Sequence, residues 1–178
     1  DVPASDGILA AAGAAGCDGA FVPSQRRLDD VRVVAMDMDS TLITIECIDE
    51  IADMKGIKAE VAAITASAMR GEIDFAESLT RRVALLAGLA AAELEHVYDE
   101  RLRISPGAAR MLAGFKAAGA TTALVSGGFT YFTDRLKAAL PLDVAVANTL
   151  EVAGGRLTGR IEGPIVDGPP RRRTRFRR

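Results

Sequence analysis

The first ordered signal along the chain is a short apolar run, Val31, Val33, Val34, Ala35 and Met36, broken only by Arg32 and closed by Asp37. A run of that length bounded by polar residues predicts a buried strand over 31–37. From Ile45 the period changes to a helical one, in four pieces punctuated by glycine. They are about Cys47 to Met54 before Gly56, Lys58 to Arg70 before Gly71, Phe75 to Ala87 before Gly88, and Ala91 to Leu102. Asp74 with Glu77 three residues on is a capping-box-like start for the third piece. Ser105 and Pro106 predict the N-cap and first turn of a helix reaching Ala118, stopped by Gly119. Thr121 to Val125 is a β-branched strand leading into a Ser126-Gly127-Gly128 turn, with a helix expected over Phe129 to Leu140. A short strand over Val144 to Ala147 and a hairpin over Leu150 to Ile161, turning at Gly154 and Gly155, complete the pattern. Residues 1–30 show no sustained period and are expected to be an amino-terminal extension or remnant.

This order describes an α/β protein: a strand, a helical insertion over 45–104, then alternating helices and strands over 105–168 that rejoin the segment 31–44. At 178 residues the chain is one domain or one domain with an insertion. Although 49% of residues are hydrophobic, no stretch reaches the length of a membrane span, and the alanine-rich start lacks the basic flank of a signal peptide. The expectation is a soluble, cytoplasmic protein. Cys17 and Cys47 make neither a disulfide framework nor a zinc site beside a single histidine, and both are read as structural thiols. His96, within a helical pattern, is read as an ordinary surface or half-buried side chain.

Charge adds one asymmetry. The formal net charge is −2, but six arginines fall in the last eight residues, so removing their six positive charges leaves −8 on the preceding 170. A basic tail can engage nucleic acid through phosphates, and only Phe176 interleaves there as a stacking group.

The chemistry concentrates at two strand ends. Asp37 and Asp39 are two apart on an extended chain, so their carboxylates point the same way. Such a pair calls for a neutralising cation, and magnesium, a hard ion held by a carboxylate or two plus substrate phosphate, suits it. In isolation the same two residues are equally consistent with a turn that caps the next segment. Ser126, 89 residues after Asp37, stands with Gly127 and Gly128 at the end of the second strand, offering a hydroxyl, unobstructed backbone N–H groups and a helix start, the elements of an anion site. Without further information Glu46 and Arg82 read as solvated helix charges, and Met69 and Phe75 as core.

Asp37 to Ile43 (DMDSTLI), Glu46 to Asp53 (ECIDEIAD), Ala68 to Gly71 (AMRG), Ser78 to Leu86 (SLTRRVALL) and Leu124 to Phe129 (LVSGGF) together resemble the phosphoserine phosphatases of the haloacid dehalogenase superfamily. The resemblance runs from about Val31 to Gly168. It implies a Rossmann-type three-layer core with a helical cap inserted after the first strand, and magnesium-dependent hydrolysis of O-phospho-L-serine to L-serine and phosphate, the last step of serine biosynthesis. It implies Asp37 as nucleophile and magnesium ligand, and Asp39 as general acid and base whose main-chain carbonyl also meets the metal. Ser126 and the Gly127 N–H would hold the phosphoryl group. Glu46 would accept the substrate ammonium and Arg82 would grip its carboxylate, with Met69 and Phe75 lining the same pocket. A small-molecule substrate is implied, with no specific nucleic acid and no membrane; the sequence leaves the oligomeric state open.

The pattern departs from the family after Asp167 and Gly168. The family's phosphate-steadying lysine and its GDGxND loop, whose first aspartate is a magnesium ligand, have no counterpart in this sequence, and Arg171 stands near the lysine position. The core is therefore expected to be truncated, with 169–178 a tail not native to the fold. Three alternatives remain open: a catalytically inactive fragment, nucleic-acid binding through the tail, or a sibling phosphatase acting on a different small phosphomonoester.

Overall fold

A computed structural model of the chain describes residues 5–21, 23–25 and 27–167. The arginine-rich tail of 169–178, and with it the nucleic-acid alternative and the position of Arg171, lies outside the described residues. Four strands form one sheet in the order β1 (Val33–Met36), β2 (Thr121–Phe129), β3 (Val144–Ala153) and β4 (Arg156–Glu162). The first three run parallel, and β4 is antiparallel to β3.

The helices are α1 (Ser5–Ala14), α2 (Cys47–Met54), α3 (Lys58–Met69), α4 (Phe75–Leu85), α5 (Ala92–His96), α6 (Ala108–Ala117) and α7 (Thr130–Ala139). Those from α2 to α5 form an insertion between β1 and β2, and α5 continues as a wider turn over Val97–Arg101. The insertion leaves and re-enters through two adjoining segments, joined by an Ile43–Ile104 bridge and by Thr44 N–H donating to the Arg103 carbonyl at 2.9 Å. Asp74 caps α4 as expected, its Oδ1 accepting the Glu77 N–H at 2.7 Å.

Leu112 of α6 and Phe132 and Leu136 of α7 are buried in one core with Leu124 of β2, Leu42, Ile43, Ile51 and Val83. Each such side chain removed from water contributes about 1.5–3 kcal/mol. The opposite side of the strands carries the exposed Val33, Val125, Val144 and Val146.

Several elements differ from the sequence expectation. Residues 5–14 are helical although 1–30 shows no period: α1 is built on alanine, which favours helix without needing an apolar face, so its described side chains stay largely exposed and leave no periodic trace. Strand β2 does not stop at Val125 but runs to Phe129, so Ser126-Gly127-Gly128 is an irregularity within the strand rather than a turn after it. The expected short strand and the first arm of the hairpin are one strand, β3, whose early residues pair with β2 and later residues with β4. Ser105 does not cap α6; the helix starts at Ala108 after Gly107, which has a positive φ of 85°, while Ser105 Oγ donates to the Thr41 carbonyl at 2.7 Å. Cys47 is buried as a structural thiol would be, whereas Cys17 is exposed and packs into no core. His96 is exposed beside Glu100.

Candidate active site

Met36 of β1 is level with Leu124 of β2 in a parallel register, so Asp37 and the residues after Val125 emerge together at the carboxyl end of the sheet. Beyond Met36 the chain turns tightly over Met38–Leu42, with Met38 and Leu42 buried beneath it. Asp37 opens this turn, its Oδ1 accepting the Met38 N–H at 2.6 Å. Ser40 is the one non-glycine residue with positive φ among the described residues, at 51°. That left-handed conformation costs a β-carbon free energy, and such costs gather at functional sites.

The turn directs Asp39 back toward β2. Its Oδ1 accepts the Cys47 N–H at 2.8 Å, and its Oδ2 lies 3.4 Å from Ser126 Oγ, which donates to it. Residues 87 positions apart are thereby brought together. Burial pushes the Asp39 carboxyl up to about 6, with the charges of Glu46 and Asp37 adding to the rise, so it holds a proton at a much higher pH than an exposed aspartate. The same burial raises the Cys47 thiol, which stays protonated and inert.

Close packing makes glycine necessary beside these carboxylates. A β-carbon on Gly128 would stand 2.6 Å from Asp39 Oδ2 and 2.7 Å from Met38 Cε, and one on Gly127 would stand 2.6 Å from Phe75 Cζ. Gly128 N–H donates to Ser126 Oγ at 2.9 Å, which orients that hydroxyl.

The inserted helices close the other side. Phe75, Leu79 and Arg82 lie at i, i+4 and i+7 on α4, hence on one face, and all three line a cleft of about 170 Å³ with Asp37, Asp39, Glu46, Ser126 and Gly127. Glu46 stands at the N-cap of α2 without making a capping bond; instead its Oε1 accepts from Ser40 Oγ at 2.6 Å. Arg82 donates through Nε to the Ser78 carbonyl at 3.3 Å, and among the described residues no carboxylate lies in salt-bridge contact with it. Burial lowers its pKa while Asp49, Glu46 and Asp39 oppose the shift, so a charged guanidinium faces the cleft. Three carboxylates against one arginine leave the cleft short of positive charge.

The six positions proposed from sequence as catalytic or substrate-binding therefore converge on one cleft. Met69 does not: it ends α3 at 85% exposure, away from the lining. Gly128 lines the cleft beside Ser126 and Gly127, while Ile48, Leu79 and Phe129 also line it and were not expected there. The helical spacing of Leu79 from Phe75 and Arg82 is the signal that points to it.

Residues 34–175 match the family model of haloacid dehalogenase-like hydrolases. A phosphoserine phosphatase of a Polaromonas species is 55% identical over 152 residues, covering 83% of this chain and 64% of that protein. Two solved structures of phosphoserine phosphatase superpose with TM-scores of 0.70, each over 75% of this chain and 63% of the other: a phospho-aspartyl intermediate analogue at 41% identity and a substrate-bound complex at 40%. The chain spans less than two thirds of the length of these relatives.

Proposed function

The chain belongs to the haloacid dehalogenase-like hydrolase family, and from that membership we propose that its cleft is the active site of a phosphoserine phosphatase, hydrolysing O-phospho-L-serine through an aspartyl-phosphate intermediate. The observation that carries this reading is the meeting of Asp39 and Ser126 at 3.4 Å in a cleft that also holds Asp37, Glu46 and Arg82. The phosphoserine phosphatase relatives, one a phospho-aspartyl intermediate analogue and one with substrate bound, favour it over hydrolysis of other small phosphomonoesters.

In this reading an Asp37 carboxylate oxygen attacks phosphorus as the bond to the serine oxygen breaks. Asp39 gives its proton to the departing alkoxide, then takes one from the water that attacks the phosphoryl-aspartate, returning both groups to their starting states. Ser126 Oγ and the Gly127 N–H stabilise the phosphoryl oxygens where charge develops. At the other end Glu46 accepts the α-ammonium and the Arg82 fork holds the α-carboxylate, so the inserted helices act as a cap that selects an amino acid ester. We assign 31–44 and 105–168 to the core and 45–104 to this cap.

The donor set suits magnesium. It offers oxygen only, with net negative charge, and one Asp37 oxygen remains after the bond to Met38. Among the described residues no three acidic, cysteine or histidine groups converge to hold an ion by themselves, so substrate phosphate and water would have to complete the shell. Asp37 through its carboxylate and Asp39 through its main-chain carbonyl would hold the ion. When bound it offsets the repulsion between nucleophile and phosphate.

The test is phosphate release from O-phospho-L-serine with magnesium and with EDTA, beside Asp37→Asn, together with calorimetric binding of O-phospho-L-serine. Magnesium-dependent release abolished in Asp37→Asn is expected. Because the family's lysine and GDGxND loop have no counterpart in the sequence, binding is read separately: it depends on Glu46, Arg82 and Ser126, which are present. Folded protein that neither binds nor hydrolyses the ester would refute the assignment.

A further inference from the structure

The irregularity in β2 is held by a buried side chain of β3. Val125 pairs with Val146 and the next matched pair is Phe129 with Asn148, so three residues of β2, Ser126, Gly127 and Gly128, stand opposite only Ala147 of β3. Two extra residues on one strand disrupt the ladder locally and leave main-chain groups without their usual partners. Buried carbonyls in that position must find a donor elsewhere.

Asn148 supplies it. The side chain is 1% exposed, and its Nδ2 donates to the Gly127 carbonyl at 2.8 Å and the Gly128 carbonyl at 3.4 Å. Its Oδ1 accepts the Val166 N–H at 2.7 Å. Two acceptors on one end and a donor on the other leave only one orientation of the amide that satisfies all three.

The peptide between Gly127 and Gly128 is planar and trans, so its carbonyl and N–H point in opposite directions. Drawing the Gly127 carbonyl toward Asn148 turns the Gly128 N–H away from it, onto Ser126 Oγ at 2.9 Å. The hydroxyl that faces Asp39 is thus oriented from behind by a side chain that does not line the cleft.

We propose that Asn148 is a positioning residue for phosphate: through the Gly127–Gly128 peptide it sets the direction of Ser126 Oγ, and through Val166 it ties that setting to the segment after β4. This rests on the cleft being the phosphate site proposed above. It separates the two ends of the substrate, because Glu46 opens α2 and Arg82 lies on α4, so neither hydrogen-bonds to Asn148.

The experiment is calorimetric binding of inorganic phosphate and, separately, of L-serine, each with magnesium, to the full chain and to Asn148→Asp and Asn148→Ser. The aspartate keeps the volume but sets an acceptor against two carbonyls. The smaller serine retains one donor and provides a foldable alternative. The expected result is phosphate binding weakened roughly tenfold or more in Asn148→Asp, less in Asn148→Ser, with serine binding within about twofold of the parent. Unchanged phosphate affinity in a folded variant overturns the proposal, as does equal loss of both ligands, which marks a merely structural residue. A parent chain that binds L-serine and phosphate while the variants match it leaves the phosphatase reading standing without Asn148; a parent that binds neither removes both.

Discussion

Ser40 Oγ donates to Glu46 Oε1 at 2.6 Å from a backbone held at a φ of 51°. The strained serine lies one residue beyond Asp39, and its partner is the carboxylate assigned to the substrate ammonium. A bond to an ionised group is worth about 1.5–3 kcal/mol. Ser40 therefore joins the turn that carries Asp37 and Asp39 to the carboxylate assigned to the amino acid.

Ser40→Gly and Ser40→Ala both lose that hydroxyl, while only glycine relieves the left-handed backbone. Both are expected to weaken O-phospho-L-serine binding by about tenfold, with little change for a phosphate ester of similar size that lacks the amine. Calorimetry with the two ligands separates the outcomes. If Ser40→Gly binds O-phospho-L-serine as tightly as the parent, the hydroxyl does not matter to recognition.

Gly128 and Gly127 are expected to differ sharply. An alanine at 128 would press on Asp39 Oδ2 and Met38 Cε, both tightly held beside the buried turn, whereas one at 127 would press on the Phe75 ring, which a side-chain rotation can move. Gly128→Ala should reduce phosphate affinity by well over tenfold and Gly127→Ala by considerably less. Equal effects in the two variants, measured as phosphate dissociation constants, would show that the close approach to Asp39 is not what makes glycine necessary.

The residues that line the cleft were more legible in the chain than the geometry that supports them. Asp37, Asp39 and Ser126 come after apolar runs, and parallel strands bring the residues at their carboxyl ends to one edge of the sheet, so the meeting of these three could be anticipated. The alanine helix α1 could not, since it has no face to bury. A serine with two glycines after it reads as a turn from composition alone; only the pairing with β3 reveals a bulge. Asn148 did leave a trace, a polar residue directly after the apolar run Val144 to Ala147, but its partners Gly127 and Val166 lie 21 and 18 residues to either side. Met69 shows the converse: a residue matched to the family's pocket that stands in solvent here.

Ser78 is 1% exposed on α4, and its Oγ has no hydrogen-bond partner among the described residues. A buried hydroxyl without a partner costs about 1–3 kcal/mol. Ser78→Ala removes the hydroxyl at little loss of volume, so stability in urea should rise by about 1 kcal/mol with an unchanged slope. A fall in the midpoint would mean that the hydroxyl is satisfied.

Asp143 sets the acid limit of the joint between α6, β2 and the loop before β3. Its Oδ1 pairs with Lys116 Nζ at 2.5 Å, and its Oδ2 accepts the Thr122 N–H at 2.8 Å and Thr122 Oγ at 3.1 Å. The bond to Lys116, then that to the Thr122 backbone, holds the carboxyl down at about 2 against an ordinary 3.8. A carboxylate whose pKa is depressed on folding contributes stability above its unfolded value and loses it as pH falls through the folded one. That contribution is therefore complete above about pH 5, declines between about pH 4 and pH 2, and is gone below. Asp143→Asn should melt at a lower temperature than the parent at pH 7, with the gap shrinking steadily across that acid window. A melting difference independent of pH would place the cost of the variant in packing rather than in the charge.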